Sequence, residues 1–451
     1  MKRLVFCFDG TWNRIDAAHS TNVVMTAESV LPLASDNVSQ LIYYHEGVGT
    51  GRWDRIRGGV FGSGLVQNLA DAYRFLIFNH TPGDEIYVFG FSRGAYTARS
   101  FVGLIGCCGI LLRKDAGKVK DAIEHYRERD KSEAYAESMM RFRLDHSPQL
   151  SVSDREDEWR AKQLPGSQPA PRLLITYLGV WDTVGALGIP ASFTWLSWAN
   201  EKFQFHDTEL SSFVRSARHA VAIDERRKDF QPTLWINLKE LNDAARADAA
   251  ADDAPYQQKW FPGVHTSVGG GGERRGLADQ AMDWVLDGAR HMGLELDSNE
   301  HSRIFELQPD YTEYLESSAK QGLLYRTMNR VSVADRQNGP TQLFEVSMSA
   351  RRRWLTNASS LRDRTPYRPA TLAAVSSTLN ALNPAKLGIG DAPTQGRYEM
   401  YQVKRNDTLS GIAVLYYHDA GAWKRIFAAN SNKLESPDRI YVGQLLRIPL
   451  D

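Results

Sequence analysis

An α/β fold built on a mostly parallel sheet is predicted by three features of this sequence. Short β-rich runs alternate with helical patterns through the first two thirds of the chain, which is the rhythm of βαβ units. One of these runs, Glu85 to Phe89, passes through Gly90-Phe91-Ser92-Arg93-Gly94 into a stretch of small and apolar residues. A strand that turns so sharply into a helix holds a serine at its tip. The third feature is length: 451 residues can bury a large core and fill two domains, at roughly 150 residues per domain.

The elements follow in order. Arg3 to Phe8 is the first strand, followed by the loop Asp9 to Asn13, a helix from about Thr21 to Leu33 and a second strand around Leu41 to Tyr44. A glycine-rich connection runs from Gly47 to Gly64, and Leu65, Leu69, Ala72 and Leu76 then recur at helical spacing until Thr81-Pro82-Gly83 stops them. The elbow helix covers Ala95 to Ile105. Residues 113 to 170 are charged and helical in texture and read as an insertion outside the sheet. Leu173 to Val180 is another buried strand, closed by Trp181-Asp182-Thr183-Val184-Gly185. A short strand is expected at Thr233 to Asn237, and a last one near Gln258 to Phe261 leads into Pro262-Gly263-Val264-His265. Leu277 to Met292 packs back as a helix. Residues 313 to 397 read as amphipathic helix and loop, with no assigned role, and Tyr398 to Pro449 reads as a compact unit of strand, helix, helix and strand. The domains expected are 1–310, 311–397 and 398–451.

Composition narrows the function classes. Hydrophobic residues make up 42% and charged residues 24% of the chain, as in folded soluble domains and unlike disordered tails. Lys plus Arg equals Asp plus Glu at 54 each, so no bulk charge holds the chain on nucleic acid or an anionic surface. The three cysteines, Cys7, Cys107 and Cys108, form no disulfide framework and no zinc spacing. The glycine runs Gly47 to Gly51 and Gly58 to Gly64 lack the Lys-Ser/Thr ending of a phosphate cradle and read as turns lining the site. No metal and no cofactor is required. The apolar stretch at the start ends at Asp9, too short for a signal peptide, so synthesis in the cytoplasm without a leader is expected, and no window reaches the roughly 18 apolar residues of a membrane span.

The chemistry centres on Ser92. In Gly-x-Ser-x-Gly the serine occupies a strained turn, and Gly90 and Gly94 stand where side chains would clash. The N-terminus of the following helix points its positive end at a developing oxyanion. A serine hydroxyl is a weak nucleophile, so a base and a supporting carboxylate are needed. Asp182 and His265 each follow a strand, and the order Ser, Asp, His is that of α/β-hydrolases. Among eleven histidines, His206 and His219 are rivals, but both lie in or beside helical text. The Arg93 N–H is the expected first oxyanion donor, with Gly10 and Thr11 in the loop after the first strand as the second source.

Several blocks together resemble the catalytic domain of bacterial type VI secretion lipase effectors: Phe8 to Asn13, Gly90 to Ala95, Val180 to Gly185, Phe205 to Leu210, Ala220 to Arg226 and Gly263 to His265. The resemblance implies an α/β-hydrolase fold over residues 1 to about 310, Ser92, Asp182 and His265 as the triad, and ester hydrolysis of phospholipid acyl chains. Tyr401 to Leu409, Ile412, Trp423, Asn430 and Ile440 to Pro449 resemble a lysin-motif (LysM) domain, which implies binding to N-acetylglucosamine polymers such as peptidoglycan. Together these imply an antibacterial phospholipase, delivered by a type VI machine into a rival's periplasm, with a secretion-machine component and an immunity protein as further partners. An esterase acting on acylated cell-wall glycans, and a non-catalytic wall-binding shell, are the alternatives. Phe193 to Trp198 and Phe203 to Phe205 suit an apolar lid or a packed excursion.

Overall fold

The computed structural model describes residues 1–10, 15–47, 60–130, 132–185, 208–297, 299, 302–304, 307–316, 335–336, 338–387, 389, 398–404, 406–430, 434, 436–440 and 444–450. Thr11, His206 and the aromatic segment from Phe193 to Phe205 therefore lie outside the described residues.

Among the described residues six strands pair in parallel: β1 (Arg3–Phe8), β2 (Gln40–His45), β3 (Glu85–Phe91), β4 (Tyr177–Trp181), β5 (Ala217–Ala222) and β6 (Tyr256–Phe261), in the spatial order β2-β1-β3-β4-β5-β6. The chain leaves β1 for β2 on one side and returns to β3 on the other, so the strand order switches between β1 and β3. Sites in open α/β sheets form at the carboxyl ends of the strands beside such a point, and the elbow after β3 stands there.

Alternation along the strands builds a core on each face. Leu4, Phe6 and Phe8 of β1 and Ile86 and Val88 of β3 pack under α2 (Val60–Asn79) and α3 (Arg93–Cys108). Val5 and Cys7, with Tyr87 and Phe89, face α1 (Asn22–Ser29) and the long helix Gly276–His291 on the opposite side. The insertion forms α4 (Val119–Arg127), α5 (Glu133–His146) and α6 (Asp154–Gln163) outside the sheet. It closes on the buried carboxylate of Glu156, which accepts from Arg143 Nε at 3.0 Å and Arg160 Nη2 at 2.7 Å. Among the described residues the domain continues with α7 (Leu238–Ala244), α8 (His265–Gly269) and α9 (Gly276–His291).

Several expectations are corrected. The segment Thr233 to Asn237 is not a strand; the strand between β4 and β6 is β5, whose Arg218 and His219 obscured its apolar pattern. Arg218 lies in the sheet because its guanidinium reaches Asp287 Oδ2 at 2.7 Å on α9. The Leu173 to Val180 strand joins the sheet only from Tyr177. α1 is capped by the Thr21 hydroxyl and stops at Ser29, where Val30 turns extended and bridges Leu296. Part of the second glycine run is helix, because α2 begins at Val60.

Beyond residue 310, α10 (Met348–Leu355) and short 3-10 turns pack on the β5 and β6 side. Val346, Ala350, Trp354, Tyr367, Leu372 and Leu379 form one buried cluster with Val221, Ile223 and Trp260. The C-terminal unit is β7 (Tyr398–Gln402), α11 (Leu409–Tyr417), α12 (Trp423–Ala429) and β8 (Leu445–Pro449), with β7 and β8 antiparallel. Its own small core includes Val403, Leu409, Ile412, Ile426, Leu446 and Ile448. Among the described residues no single helix is long and apolar enough to cross a membrane.

Candidate active site

The elbow is built by backbone necessity. Ser92 has φ 60° and ψ −125°, a region an L-residue occupies only when its surroundings hold it. Its N–H donates to Trp181 O at 3.0 Å and its carbonyl accepts from Val184 N at 3.3 Å, which clamps the turn between β3 and the loop after β4. A Cβ on Gly90 would lie 2.6 Å from Gly94 O, and one on Gly94 would lie 2.2 Å from Phe8 O. Those contacts leave room only for hydrogen, and they press the start of α3 against the end of β1.

Three residues far apart in sequence meet at this edge. Ser92 Oγ lies 2.7 Å from His265 Nε2, and His265 Nδ1 lies 2.6 Å from Asp182 Oδ2. All three are buried. Asp182 follows β4 with φ 36°, and its Oδ1 accepts from Ala222 N at 2.9 Å. His265 opens α8 directly after β6. Phe91 lies against one side of its ring at 4.6 Å and Phe230 meets it edge-on at 4.9 Å. Burial, only partly offset by Asp182, lowers the His265 pKa. Burial alone would raise the Asp182 pKa, but Arg336 and the His265 bond hold it well below the usual carboxylate range. An ionised Asp182 fixes the proton on Nδ1 and leaves Nε2 as acceptor for the Ser92 hydroxyl. Such a relay can take the hydroxyl proton as oxygen attacks an electrophile.

The oxyanion residues fare differently. Arg93 begins α3, so its N–H stands at the positive end of a 16-residue helix. The Gly10 N–H instead donates to Asp9 Oδ1 at 2.7 Å, and Asp9 Oδ2 accepts from Thr21 Oγ1 and Tyr44 Oη. In this conformation the Gly10 N–H is held by its neighbour's carboxylate.

Sequence reasoning missed a second set of residues around His265. Glu225 Oε2 accepts from the His265 N–H at 3.2 Å, and both its oxygens take the Arg227 guanidinium at 2.9 Å. Arg227 in turn lies over Phe230 at 3.6 Å. Asp224 Oδ2 accepts from Gly263 N at 2.7 Å and from Tyr367 Oη at 2.8 Å, and burial pushes its pKa up to about 6. Asp224 and Glu225 lie inside the Ala220 to Arg226 block, which was the available signal. Arg336 Nη2, 2.9 Å from Asp182 Oδ2, had none. His219 is a core residue of β5, not a rival base: its Nδ1 meets Gln258 Oε1 at 2.9 Å and its Nε2 accepts from Thr183 N at 3.2 Å. Among the described residues no group of His, Cys, Asp and Glu could hold a metal ion.

The sheet order and the elbow define an α/β-hydrolase-type protein. Residues 2–288 match the family model described as T6SS, Phospholipase effector Tle1-like, catalytic domain, and residues 401–449 match the LysM domain. The chain belongs to the Tle1-like phospholipase effector family of the type VI secretion system and carries a LysM domain at its C-terminal end. An uncharacterized protein of Saccharomyces cerevisiae, YEL023C, is 27% identical over 252 residues, covering 52% of this chain and 33% of that protein. The potassium binding protein Kbp of Escherichia coli is 51% identical over 51 residues, covering 11% of this chain and 34% of Kbp. The chain thus spans about a third of either curated relative. A structure of the Tle1 effector bound to the VgrG spike matches with TM-score 0.32 and 18% identity, over 61% of this chain and 51% of that one. An uncharacterized Pseudomonas aeruginosa protein matches with TM-score 0.34 and 16% identity, over 98% and 75%.

Proposed function

We propose that this chain is a serine phospholipase of the A type, in which Ser92 attacks the acyl carbonyl of a phospholipid. The observation that carries the reading is the continuous relay of 2.7 and 2.6 Å from Ser92 through His265 to Asp182. His265 takes the hydroxyl proton as the Ser92 oxygen bonds to the carbonyl carbon. The tetrahedral oxyanion is stabilised by the Arg93 N–H at the head of α3. His265 then returns the proton to the departing lysolipid oxygen, and a water activated by the same imidazole releases the fatty acid. Asp182 holds the imidazole in its productive tautomer and stabilises the imidazolium.

In this reading the LysM unit retains the enzyme on N-acetylglucosamine polymers of the cell wall, and a type VI machine carries it into a target cell's periplasm, with an immunity protein protecting the producer. The domains divide at about residues 310 and 397. Ser92→Ala should lower fatty-acid release from sn-1 and sn-2 labelled phospholipid vesicles by at least about a thousandfold, with circular dichroism and peptidoglycan binding unchanged. Undiminished turnover in that variant would refute the mechanism. The neighbouring LysM unit favours one second reading, an esterase for acylated cell-wall glycan. Release of acetate from O-acetylated peptidoglycan, with no fatty acid released from vesicles, would select it.

A further inference from the structure

Arg336 lies 48 residues beyond the end of the matched catalytic region at residue 288 (336 minus 288). Its guanidinium nevertheless reaches the centre of the site. Nη2 donates to Asp182 Oδ2 at 2.9 Å, the same oxygen that faces His265 Nδ1 at 2.6 Å, and both side chains of the ion pair are 0% exposed. Nε and Nη1 of Arg336 have no hydrogen-bond partner among the described residues. A buried guanidinium with two unpaired nitrogens carries a large desolvation cost. A role confined to packing would be met as well by an apolar side chain.

The surroundings hold this cation in place. Asp335 pairs with Arg226 Nε at 2.9 Å on one side. Further along the chain, Ser347 N donates to Trp260 O, Tyr367 Oη to Asp224, and Thr371 Oγ1 to Ile223 O. Residues 335 to 371 are thus fastened at these points to β6 and to the loop that follows β5.

We propose that Arg336 is a positioning residue for the Ser92, His265 and Asp182 relay. It holds Asp182 as a carboxylate aimed at His265 and restrains the His–Asp pair from taking up a proton. The inference rests on the serine-hydrolase reading above. Its electrostatic logic follows from the groups that face the pair. Glu225 and Arg227 approach from the loop after β5, Arg336 from the C-terminal segment, and neutral Ser92 from the elbow. The charge of Arg336 also acts on His219 of β5 and on Asp224, as do Arg99 of α3 on the first and Arg353 of α10 on the second. Glu225 and Arg227 offset each other as a bidentate pair. Arg336 is therefore the leading outside charge on Asp182, and through that carboxylate on the pair. Removing the cation makes proton uptake easier whether the proton is assigned to the imidazole or to the carboxylate.

The test measures kcat/KM against pH for full-length protein on a soluble p-nitrophenyl ester, together with the rate of fluorophosphonate labelling at Ser92. Arg336→Met and Arg336→Gln should move the acid limb of both profiles up by about one pH unit or more. They should cut kcat/KM about tenfold at pH values below the wild-type limb. Arg336→Lys, which keeps the charge, should return the limb towards the wild-type position. Folded neutral variants with an unmoved acid limb would overturn the inference. So would loss of fold in both, which assigns Arg336 to structure alone. Wild-type protein that neither turns over the ester nor labels at Ser92 would overturn the hydrolase reading itself, and this inference with it.

Discussion

At the scale of single residues, protonation states decide what the buried groups can do. His219 shows this away from the nucleophile. Burial, and then the charge of Arg99, bring its pKa down to about 3, and the bond accepted from Thr183 N needs a neutral Nε2. In the unfolded chain the same imidazole titrates near 6.5. Between those values the unfolded state binds a proton that the folded state refuses, so this part of the stability is complete above about pH 6.5 and drains as pH falls towards 3. Urea midpoints taken from pH 7 to pH 4 should fall more steeply for the wild type than for His219→Gln. The difference should reach up to about 1.4 kcal/mol per pH unit; parallel curves would show that His219 is not the titrating group.

At the scale of elements, the strand-to-helix elbow depends on two missing side chains. A methyl group at Gly94 would meet the carbonyl oxygens of Phe8 and Asp9 at 2.2 and 2.4 Å. Those atoms belong to the end of β1, whose backbone is pinned by both neighbouring strands. Gly94→Ala should therefore cost about 2 to 3 kcal/mol or more, as overpacking against unyielding backbone does. It should also displace Ser92 from His265, so that fluorophosphonate labelling slows even where the variant stays folded. Normal labelling with normal stability would contradict the close approach. The legibility of this region had a simple cause: Gly90 to Gly94 is local, and its spacing carries the geometry. β5 was hidden because Arg218 and His219 interrupt its apolar run, and their partners Asp287 and Gln258 lie 69 and 39 residues away in sequence.

At the scale of the whole molecule, the C-terminal segment and the hydrolase sheet share a core. Trp354 packs with Val221, Ile223 and Trp260, and its Nε1 donates to Asn380 Oδ1 at 2.9 Å. Trp354→Ala should cost about 3 to 5 kcal/mol. If Arg336 is held by this packing, the same variant should reproduce part of the Arg336→Met shift in the pH profile. Limited proteolysis and the acid limb measured side by side check both effects. Deleting residues 398–451 should abolish retention on peptidoglycan while turnover of dispersed phospholipid persists, since the unit has its own core.

What the sequence determined by itself were the features written in local pattern: the α/β class, the elbow serine, the residues at the ends of β4 and β6, and the compact C-terminal unit. Spacing and hydropathy suffice for these because strands, turns and helix starts are short-range. Tertiary structure alone decided which strand lies between β4 and β6 and that Arg336 shares a carboxylate oxygen with His265. Each of these depends on side chains or backbone groups brought together across the fold, and the energy of a buried charge is set by partners that no local window contains.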